Sequence, residues 1–264
     1  MMVQENKIGL DNSENAIEKR VALITGANRS IGLQVAKELS QQGFIVLVGS
    51  RKLENAQQAI SEIGDNAYPI AIDVTDQISI DKAAEEIRKE FGRLDLLVNN
   101  AAIANISIPG RSVEETLADG MAINASLSEM RAVWETNVFG VLAVTQAFLP
   151  LLCEAPKGRI VNVSSGLASL TLNSDPNFTF RKGFGAVYGA SKTALNAITL
   201  ALSIDLESTN ITVEAASPGY TATAMNNFEG TDSIEEGSKN IVRAALGQND
   251  PSHLFTGSHG PYPW

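Results

Sequence analysis

At 264 residues and 44% hydrophobic, the chain is long enough for one α/β domain with a substantial core and is short for two. A formal net charge of -10 argues against nucleic-acid and anionic-membrane partners, because both would repel the average surface. The two histidines and one cysteine lead us to expect no catalytic metal and no internal disulfide. Because the sequence shows no signal peptide and no apolar stretch long enough to span a bilayer, we expect a cytoplasmic protein that binds small molecules.

Short apolar runs alternate with helical patterns along most of the chain. Residues 1–18 are polar and predict a mobile leader, which leaves 19–264 as the folded domain. Near-continuous apolar character is typical of parallel strands buried on both faces. Six runs have it: Val21–Thr25, Phe44–Gly49, Ala67–Asp73, Leu94–Asn99, Arg159–Ser164 and Ile211–Ser217. With a seventh strand near 253–256, they predict a single-domain, doubly wound α/β fold whose parallel sheet of about seven strands is flanked by helices.

Two helical segments are expected to carry chemistry. A long helix contains Asn137, and the stretch 103–127 ahead of it predicts only a loop or a short helix. A second helix runs from Tyr188 to about Leu206 and has almost no polar face, so it requires burial on both sides. A further helix over about 233–246 precedes the seventh strand.

A glycine turn, Thr25-Gly26-Ala27-Asn28-Arg29-Ser30-Ile31-Gly32, directly follows the first strand. In that position the backbone N–H groups and the N-terminus of the next helix can receive a pyrophosphate. Ser30 stands where the usual pattern has its middle glycine. Its hydroxyl could cap the helix or its side chain could crowd the phosphate, and we favour the cap. The turn predicts a dinucleotide site.

The end of the second strand indicates which nicotinamide nucleotide binds. An acidic residue there would bind the ribose 2′-hydroxyl and repel a 2′-phosphate. The chain instead has Ser50 and Arg51, and the Arg51 guanidinium suits a phosphate; Arg29 can approach the same corner. We therefore predict NADP(H), the alternative being that both arginines are solvated surface charges.

Tyr188 and Lys192 lie four residues apart, one turn of a helix, so their side chains project from the same face. A cation beside a phenol lowers the pKa of the phenol toward the working pH. Such a tyrosine can act as a general acid and protonate a carbonyl oxygen while hydride reaches the carbon. The pair predicts ketone reduction.

Several motifs occur in a fixed order: the glycine turn, Asn99-Asn100-Ala101-Ala102, Asn137, Ser164-Ser165, Tyr188-x-x-x-Lys192 and Pro218-Gly219. With this ordered set the chain, from about Lys19 to its end, resembles the classical short-chain dehydrogenase/reductases, whose domain is of the Rossmann type. The sequence around Asn137 and Pro218 is most similar to that of the carbonyl-reductase-like members.

The resemblance implies a role for each matching residue. Tyr188 matches the catalytic acid/base, and Lys192 matches the residue that lowers the tyrosine pKa and holds the nicotinamide ribose. Ser165, the second serine of its pair, matches the hydroxyl that polarises the substrate carbonyl, and Asn137 matches the asparagine of the proton relay. The other implied cofactor contacts are Gly26, Asn28, Arg29, Ser30, Ile31, Gly32, Ser50, Arg51, Asp73, Val74, Asn100, Ala101, Pro218, Gly219, Tyr220, Thr221 and Thr223.

The chain departs from the family pattern in two further places. Ala102 replaces the glycine that commonly closes its motif, and we expect only a small effect on cofactor affinity. The interval between Ser165 and Tyr188 is longer than in many members, and residues 166–187 are called the insertion below. Its phenylalanines and leucines could wall a substrate pocket, or could cover a helix that in the family commonly pairs in homodimers and homotetramers. The oligomeric state therefore stays open.

The predicted function is NADPH-dependent reduction of an aldehyde or ketone to an alcohol. The stretch 222–232 after Pro218-Gly219, called the lid below, is expected to close over the substrate. A binding or regulatory protein that responds to NADP(H) without turnover is the alternative, because a fold alone does not specify catalysis. A sugar-nucleotide epimerase or dehydratase is disfavoured by the chain length and the glycine spacing. The C-terminal residues 261–264 could pack near a subunit contact or fray.

Overall fold

The computed structural model describes residues 19–106 and 111–264, and the predicted leader lies outside them. Within these ranges the strands are β1 Val21–Ile24, β2 Ile45–Ser50, β3 Ala67–Ala71, β4 Leu96–Asn99, β5 Gly158–Val163, β6 Ile211–Ala216, β7 Phe255–Gly257 and β8 Gly260–Pro261. They form one sheet in the order β3-β2-β1-β4-β5-β6-β7-β8. All neighbours are parallel except β7 and β8. The doubly wound α/β prediction is confirmed, and only the two-residue β8, too short to show a period, was not expected.

The helices of the described ranges alternate with these strands. They are α1 Ser30–Gln41, α2 Leu53–Ile60, α3 Gln77–Phe91, α4 Val113–Gly120, α5 Leu127–Trp134, α6 Gly140–Cys153, α7 Leu170–Ser174, α8 Gly189–Asp205 and α9 Ile234–Ala245. A π-helical turn, Glu135–Phe139, joins α5 to α6. In the stretch expected to be a loop or short helix, α4 forms because Ser112 and Glu115 make a reciprocal capping box at its start.

The sheet is buried on both faces, as the apolar strands indicated. Ala22 and Ile24 of β1 pack into one core cluster, and Val21 and Leu23 pack into another, because successive strand residues point to opposite faces. The first cluster contains residues of α1, α2 and α9, and the second contains residues of α3 and α6. This arrangement leaves the carboxyl edge of the parallel strands as the place where loops converge.

The helix formed by α5, the π turn and α6 is long and apolar enough to cross a bilayer, with a mean hydropathy of 1.6 over an 18-residue window. The expectation that the chain has no such stretch was wrong, because the apolar run of this helix is interrupted only by uncharged polar residues such as Asn137 and Gln146. Half of the window is buried, and Val144, Phe148 and Leu151 pack into the core. One helix of this kind is weak evidence for a membrane span, since a core helix has the same composition.

The C-terminal residues pack against β7. The Phe255 ring lies edge-on to Tyr262 with centroids 5.4 Å apart, and it stacks on Trp264 at 5.6 Å. The backbone oxygen of Trp264 accepts a hydrogen bond of 2.9 Å from the Thr171 N–H. The tail is therefore ordered against the start of the insertion rather than frayed.

Candidate active site

The residues predicted to bind the cofactor lie where the parallel strands end. In a doubly wound sheet this carboxyl edge is the usual ligand site. The groups are Gly26–Gly32 after β1, Ser50–Arg51 at the end of β2, Asp73–Val74 after β3, Asn100–Ala101 after β4, Ser164–Ser165 after β5 and Pro218–Thr223 after β6. Asn137 lies in the π turn, and Tyr188 and Lys192 lie at the start of α8. The topology thus brings all of them to one edge.

The glycine turn is tied to the loop after β4. Asn100 Nδ2 donates to the carbonyl oxygens of Thr25 and Gly26 at 2.8 and 3.2 Å. Thr25 Oγ1 accepts from the backbone N–H groups of Asn100 and Ala101, both at 3.0 Å. A Cβ at Gly32 would collide with the Asn100 amide, so this close packing requires glycine. Thr25 is a positioning residue that the sequence motif contained without assigning it a role.

Ser30 does not cap α1, so the favoured interpretation of this residue was wrong. Arg29 occupies the N-cap position with an extended backbone, and no side chain caps the helix. Ser30 already lies in the first turn with a left-handed φ of 54°. A capping hydroxyl must come from the extended residue before the helix, and Ser30 is one position too late. Because the first turn also has no acidic residue, its N–H groups suit an anionic ligand.

Arg29 and Arg51 add positive charge at this edge. Both side chains are exposed, and neither has an ion pair with any residue that the structure describes. The uncapped α1 terminus, the tightly packed glycine turn and these two arginines together fit a nucleotide that carries several phosphates.

The loop after β3 binds its own polar groups. The Asp73 carboxylate accepts from the backbone N–H of Thr75 at 3.0 Å and from Thr75 Oγ1 at 2.7 Å. Val74 is buried, and its carbonyl oxygen lies against Gly140, where a Cβ would approach it to 2.6 Å. Both residues therefore shape the edge beside β2, and their predicted contact with adenine stays a prediction.

Ser165, Tyr188 and Lys192 come together at the other half of the edge. The side chains of Tyr188 and Ser165 are hydrogen-bonded to each other. Lys192 Nζ donates to the carbonyl oxygen of Val163 at 2.8 Å and lies 5.9 Å from the centroid of the Tyr188 ring. Ser164, in contrast, is buried and donates to Asn196 Oδ1 at 2.6 Å. The geometry places the second serine, rather than the first, beside the tyrosine.

Burial sets the protonation of this group. It raises the pKa of Tyr188 to about 12, although the hydrogen bond with Ser165 opposes the shift. It lowers the pKa of Lys192 to about 7, because the ammonium group is removed from water. Burial, rather than Lys192, therefore determines the direction of the Tyr188 pKa shift, which is opposite to the predicted lowering.

The buried lysine makes stability depend on pH. Between the folded pKa of about 7 and the ordinary value of 10.5, the unfolded chain binds more protons than the folded chain, so the free energy of unfolding rises with pH. We expect Lys192→Met to remove a gain of about 2 kcal/mol between pH 7 and 9. Urea unfolding of both proteins at four pH values measures it, with Lys82→Met, an exposed lysine of α3, as the control. Parallel curves for Lys192→Met and the unchanged protein would contradict the prediction.

Asn137 connects the π turn to two other segments. It is fully buried; its Oδ1 accepts from the Ile103 N–H at 2.9 Å, and its Nδ2 donates to the Ile103 carbonyl at 2.8 Å and to Ser191 Oγ at 3.1 Å. Ser191 Oγ in turn donates to the Tyr188 carbonyl at 2.6 Å. Asn137 thus fixes the loop after β4 against the start of α8. Ser191 was not predicted, and its only sequence signal is its spacing of three residues from Tyr188.

The loop after β4 has a second anchor, which the sequence did not predict. Glu129, which is buried on α5, accepts from the Ile106 N–H at 3.0 Å and forms a two-point ion pair with Arg111 at 2.7 and 3.2 Å. Arg111 also pairs with Asp119 of α4 at 2.9 Å. The hydrogen bond from Arg111 lowers the pKa of Glu129. No local pattern predicts this cluster, because its members come from three segments.

The lid is closed at its base by backbone hydrogen bonds. Thr221 forms an isolated bridge with Asp232, the Ala222 N–H donates to the Asp232 carbonyl at 2.9 Å, and the Asp232 N–H donates to the Tyr220 carbonyl at 3.0 Å. Thr221 Oγ1 donates to the Pro218 carbonyl at 3.2 Å, and Thr223 caps a 3-10 turn, Ala224–Asn226. The Pro218-Gly219 motif therefore leads into a defined loop beside the site.

A cavity of about 530 Å³ lies between α1 and α9. Its walls carry charges of both signs, including Glu38, Glu236, Lys239 and Arg243. Ser165, Tyr188 and Lys192 do not line it. The candidate active site is therefore identified by its chemistry and its place at the sheet edge rather than by cavity size.

Comparison with known proteins agrees with this geometry. Residues 20–233 match the family model described as short chain dehydrogenase. The short-chain dehydrogenase anuI of Penicillium roqueforti is 37% identical over 250 residues, covering 91% of this chain and 93% of the relative. The NADPH-bound carbonyl reductase from chicken fatty liver has a TM-score of 0.77 at 26% identity, covering 94% of this chain and 95% of that chain.

A third similar protein was solved with the other nucleotide. The 3-ketoacyl-(acyl-carrier-protein) reductase from Brucella melitensis, complexed with NADH, has a TM-score of 0.73 at 26% identity and covers 91% of this chain and 98% of that chain. The similar structures thus differ in the nucleotide that they hold. The family model and the fungal relative both cover most of the chain, and with the doubly wound sheet and the ordered motifs they identify it as a member of the short-chain dehydrogenase/reductase family of oxidoreductases, which use nicotinamide cofactors.

Proposed function

We propose that the protein reduces an aldehyde or ketone to an alcohol with NADPH. The observation that carries the proposal is the hydrogen-bonded pair of Ser165 and Tyr188 beside buried Lys192, on the same sheet edge as the uncapped start of α1. This arrangement supplies hydrogen-bond donors for a carbonyl oxygen next to a nucleotide site. The similar carbonyl reductase bound to NADPH supports the same assignment.

In the proposed reaction, the bound nicotinamide supplies the hydride. Ser165 and Tyr188 donate hydrogen bonds to the carbonyl oxygen of the substrate, and these bonds strengthen as negative charge develops there. Tyr188 then transfers its proton to that oxygen. When Lys192 is protonated, its ammonium group, 5.9 Å from the centroid of the tyrosine ring, stabilises the phenolate that this proton transfer leaves.

The preference for NADPH over NADH rests on Arg29 and Arg51. Similar structures hold either nucleotide, so family membership alone does not choose between them. Both arginines are exposed, Arg29 at the N-cap of α1 and Arg51 directly after β2, and neither has an ion pair with a carboxylate in the described part of the chain. We infer that they bind the 2′-phosphate that distinguishes NADPH, because a guanidinium matches phosphate geometry.

We also propose that the enzyme is a homodimer or homotetramer. Leu200 and Ile204 of α8 are 38% and 56% exposed, and Phe139 of the π turn is 54% exposed. The insertion therefore does not cover these side chains, and it leaves them open to the subunit pairing that the family resemblance implies.

The direct test is NADPH consumption with a panel of aldehydes, ketones, diketones and quinones, repeated with NADH. We expect turnover of at least one carbonyl class, faster with NADPH than with NADH at equal concentration. Tight NADPH binding without turnover of any compound would contradict the proposal. That result would favour a nucleotide-responsive binding protein.

A further inference from the structure

The insertion contacts Ser165 at one end and Gly189, the residue after Tyr188, at the other. The Leu167 N–H donates to Ser165 Oγ at 3.2 Å, and the Leu167 side chain packs on Gly183. At the other end, the Phe184 ring lies so close to Gly189 that a Cβ there would approach it to 2.8 Å. The insertion thus leaves the site at Ser165 and returns against the residue that follows Tyr188. Both of its ends therefore lie beside the proposed catalytic hydroxyl groups.

The insertion is held in one conformation by its own polar groups. Ser169 Oγ accepts from the Leu172 N–H at 3.0 Å, and Asn173 Nδ2 donates to the Ser169 carbonyl at 2.7 Å. Arg181 Nε donates to the Asn173 carbonyl at 2.9 Å, which links the two halves of the segment. With the bond from Thr171 to Trp264 described above, these contacts give the insertion the order that a preformed binding surface needs.

An aromatic series connects the insertion to the segment that enters the lid. The Phe178 and Phe180 rings meet edge-on with centroids 5.8 Å apart, and the Phe180 and Tyr220 rings lie 5.6 Å apart with a tilt of 52°. Phe180 remains 45% exposed despite these contacts. Within the lid, the side chains of Met225 and Phe228 are 43% and 66% exposed. Apolar side chains are therefore exposed both on the insertion, whose ends lie next to Ser165 and Tyr188, and on the lid.

Resting on the proposed function, we infer that Phe180 is a specificity-determining residue and that the enzyme prefers carbonyl compounds bearing a flat apolar ring next to the carbonyl. The Phe180 and Tyr220 rings offer faces and edges, against which another ring packs with favourable geometry. Two of the charged residues near Phe180 are engaged within the insertion, Arg181 with Asn173 and Asp175 with Asn177, and Lys182 is exposed to solvent. A ring fits this surface better than a small polar substituent does.

Two diketones with the same reacting group test the inference. 1-Phenyl-1,2-propanedione has a phenyl ring where 2,3-butanedione has a methyl group. The ratio of their kcat/KM values therefore measures how strongly the surface around Phe180 and Tyr220 favours a ring. We expect the phenyl compound to be preferred and Phe180→Ala to reduce its kcat/KM about tenfold through KM, the scale of one aromatic contact, while turnover of 2,3-butanedione stays unchanged. Phe180→Tyr, which keeps the ring, should retain the preference.

Leu170→Ala is the matched control, because Leu170 is an exposed apolar side chain of the same segment. It should leave both diketones unaffected. An equal loss for the two diketones in Phe180→Ala would indicate a structural role and overturn the inference, as would no loss for either or a substrate preference for 2,3-butanedione. Failure of the proposed function gives a different result, since the unchanged protein would then consume no NADPH with any carbonyl of the panel.

Discussion

Replacing Tyr188 by phenylalanine should abolish most turnover while leaving NADPH binding nearly intact. The substitution removes only the hydroxyl that is hydrogen-bonded to Ser165, and the ring keeps its place before α8. A positioned general acid typically contributes a factor of about 100 to 10,000 in rate, and we expect kcat to fall within this range. Steady-state kinetics with the best carbonyl of the panel and fluorescence titration of NADPH measure the two effects separately.

Tyr68→Phe is the matched control for this variant. Tyr68 lies on β3 and packs edge-on against Phe91, away from Ser165 and Lys192, so losing its hydroxyl should change neither kcat nor nucleotide affinity. Activity of Tyr188→Phe within a few-fold of the unchanged protein would show that another group delivers the proton. A loss of NADPH binding equal to the loss of turnover would show that the tyrosine acts in cofactor binding rather than in proton transfer.

Replacing Arg51 by aspartate should reverse the preference for NADPH. The change removes the proposed phosphate ligand and places a carboxylate where it can bind a ribose 2′-hydroxyl. Hydrogen bonds to charged groups contribute about 1.5–3 kcal/mol, so the KM for NADPH should rise about 10- to 100-fold. The KM for NADH should fall, because the new carboxylate gains a partner. Values of kcat/KM for both nucleotides with one carbonyl substrate give the result.

Arg88→Asp, the same change at an exposed position on α3, controls for the altered net charge. It should leave the ratio of the two nucleotides unchanged. An unaltered NADPH preference in Arg51→Asp would remove the role assigned to Arg51. If Arg29→Ala in that background also kept the preference, the interpretation of both arginines as solvated surface charges would be correct.

The parts of the site that could be predicted are local in the chain. The glycine turn directly follows β1, and the four-residue spacing of Tyr188 and Lys192 places both at the start of one helix. In each case the neighbouring residues alone determine the relative positions of backbone and side chains. For the same reason the first six strands were located to within a few residues, since each is a largely apolar run.

Ser30 and the pKa of Tyr188 were predicted wrongly because neither depends on local spacing alone. The first turn of α1 begins at Ser30 with a left-handed backbone, which its position in the motif does not reveal. The spacing of Tyr188 and Lys192 was correct, but burial sets the direction of both pKa shifts, and the hydrogen bond with Ser165 opposes the shift of Tyr188. Burial depends on the packing of segments that are distant in the chain.

The sequence by itself determined the fold class and the sheet edge at which the motif residues, including Ser165, Tyr188 and Lys192, come together, because apolar periodicity and short motifs express local geometry. Only the tertiary structure decided how this group is protonated, how Asn137 and Glu129 hold the loop after β4, and that Phe180 meets Tyr220. These features arise from contacts between segments far apart in the chain. Burial and long-range packing have no signature in a single sequence, and they shape the substrate side of the site.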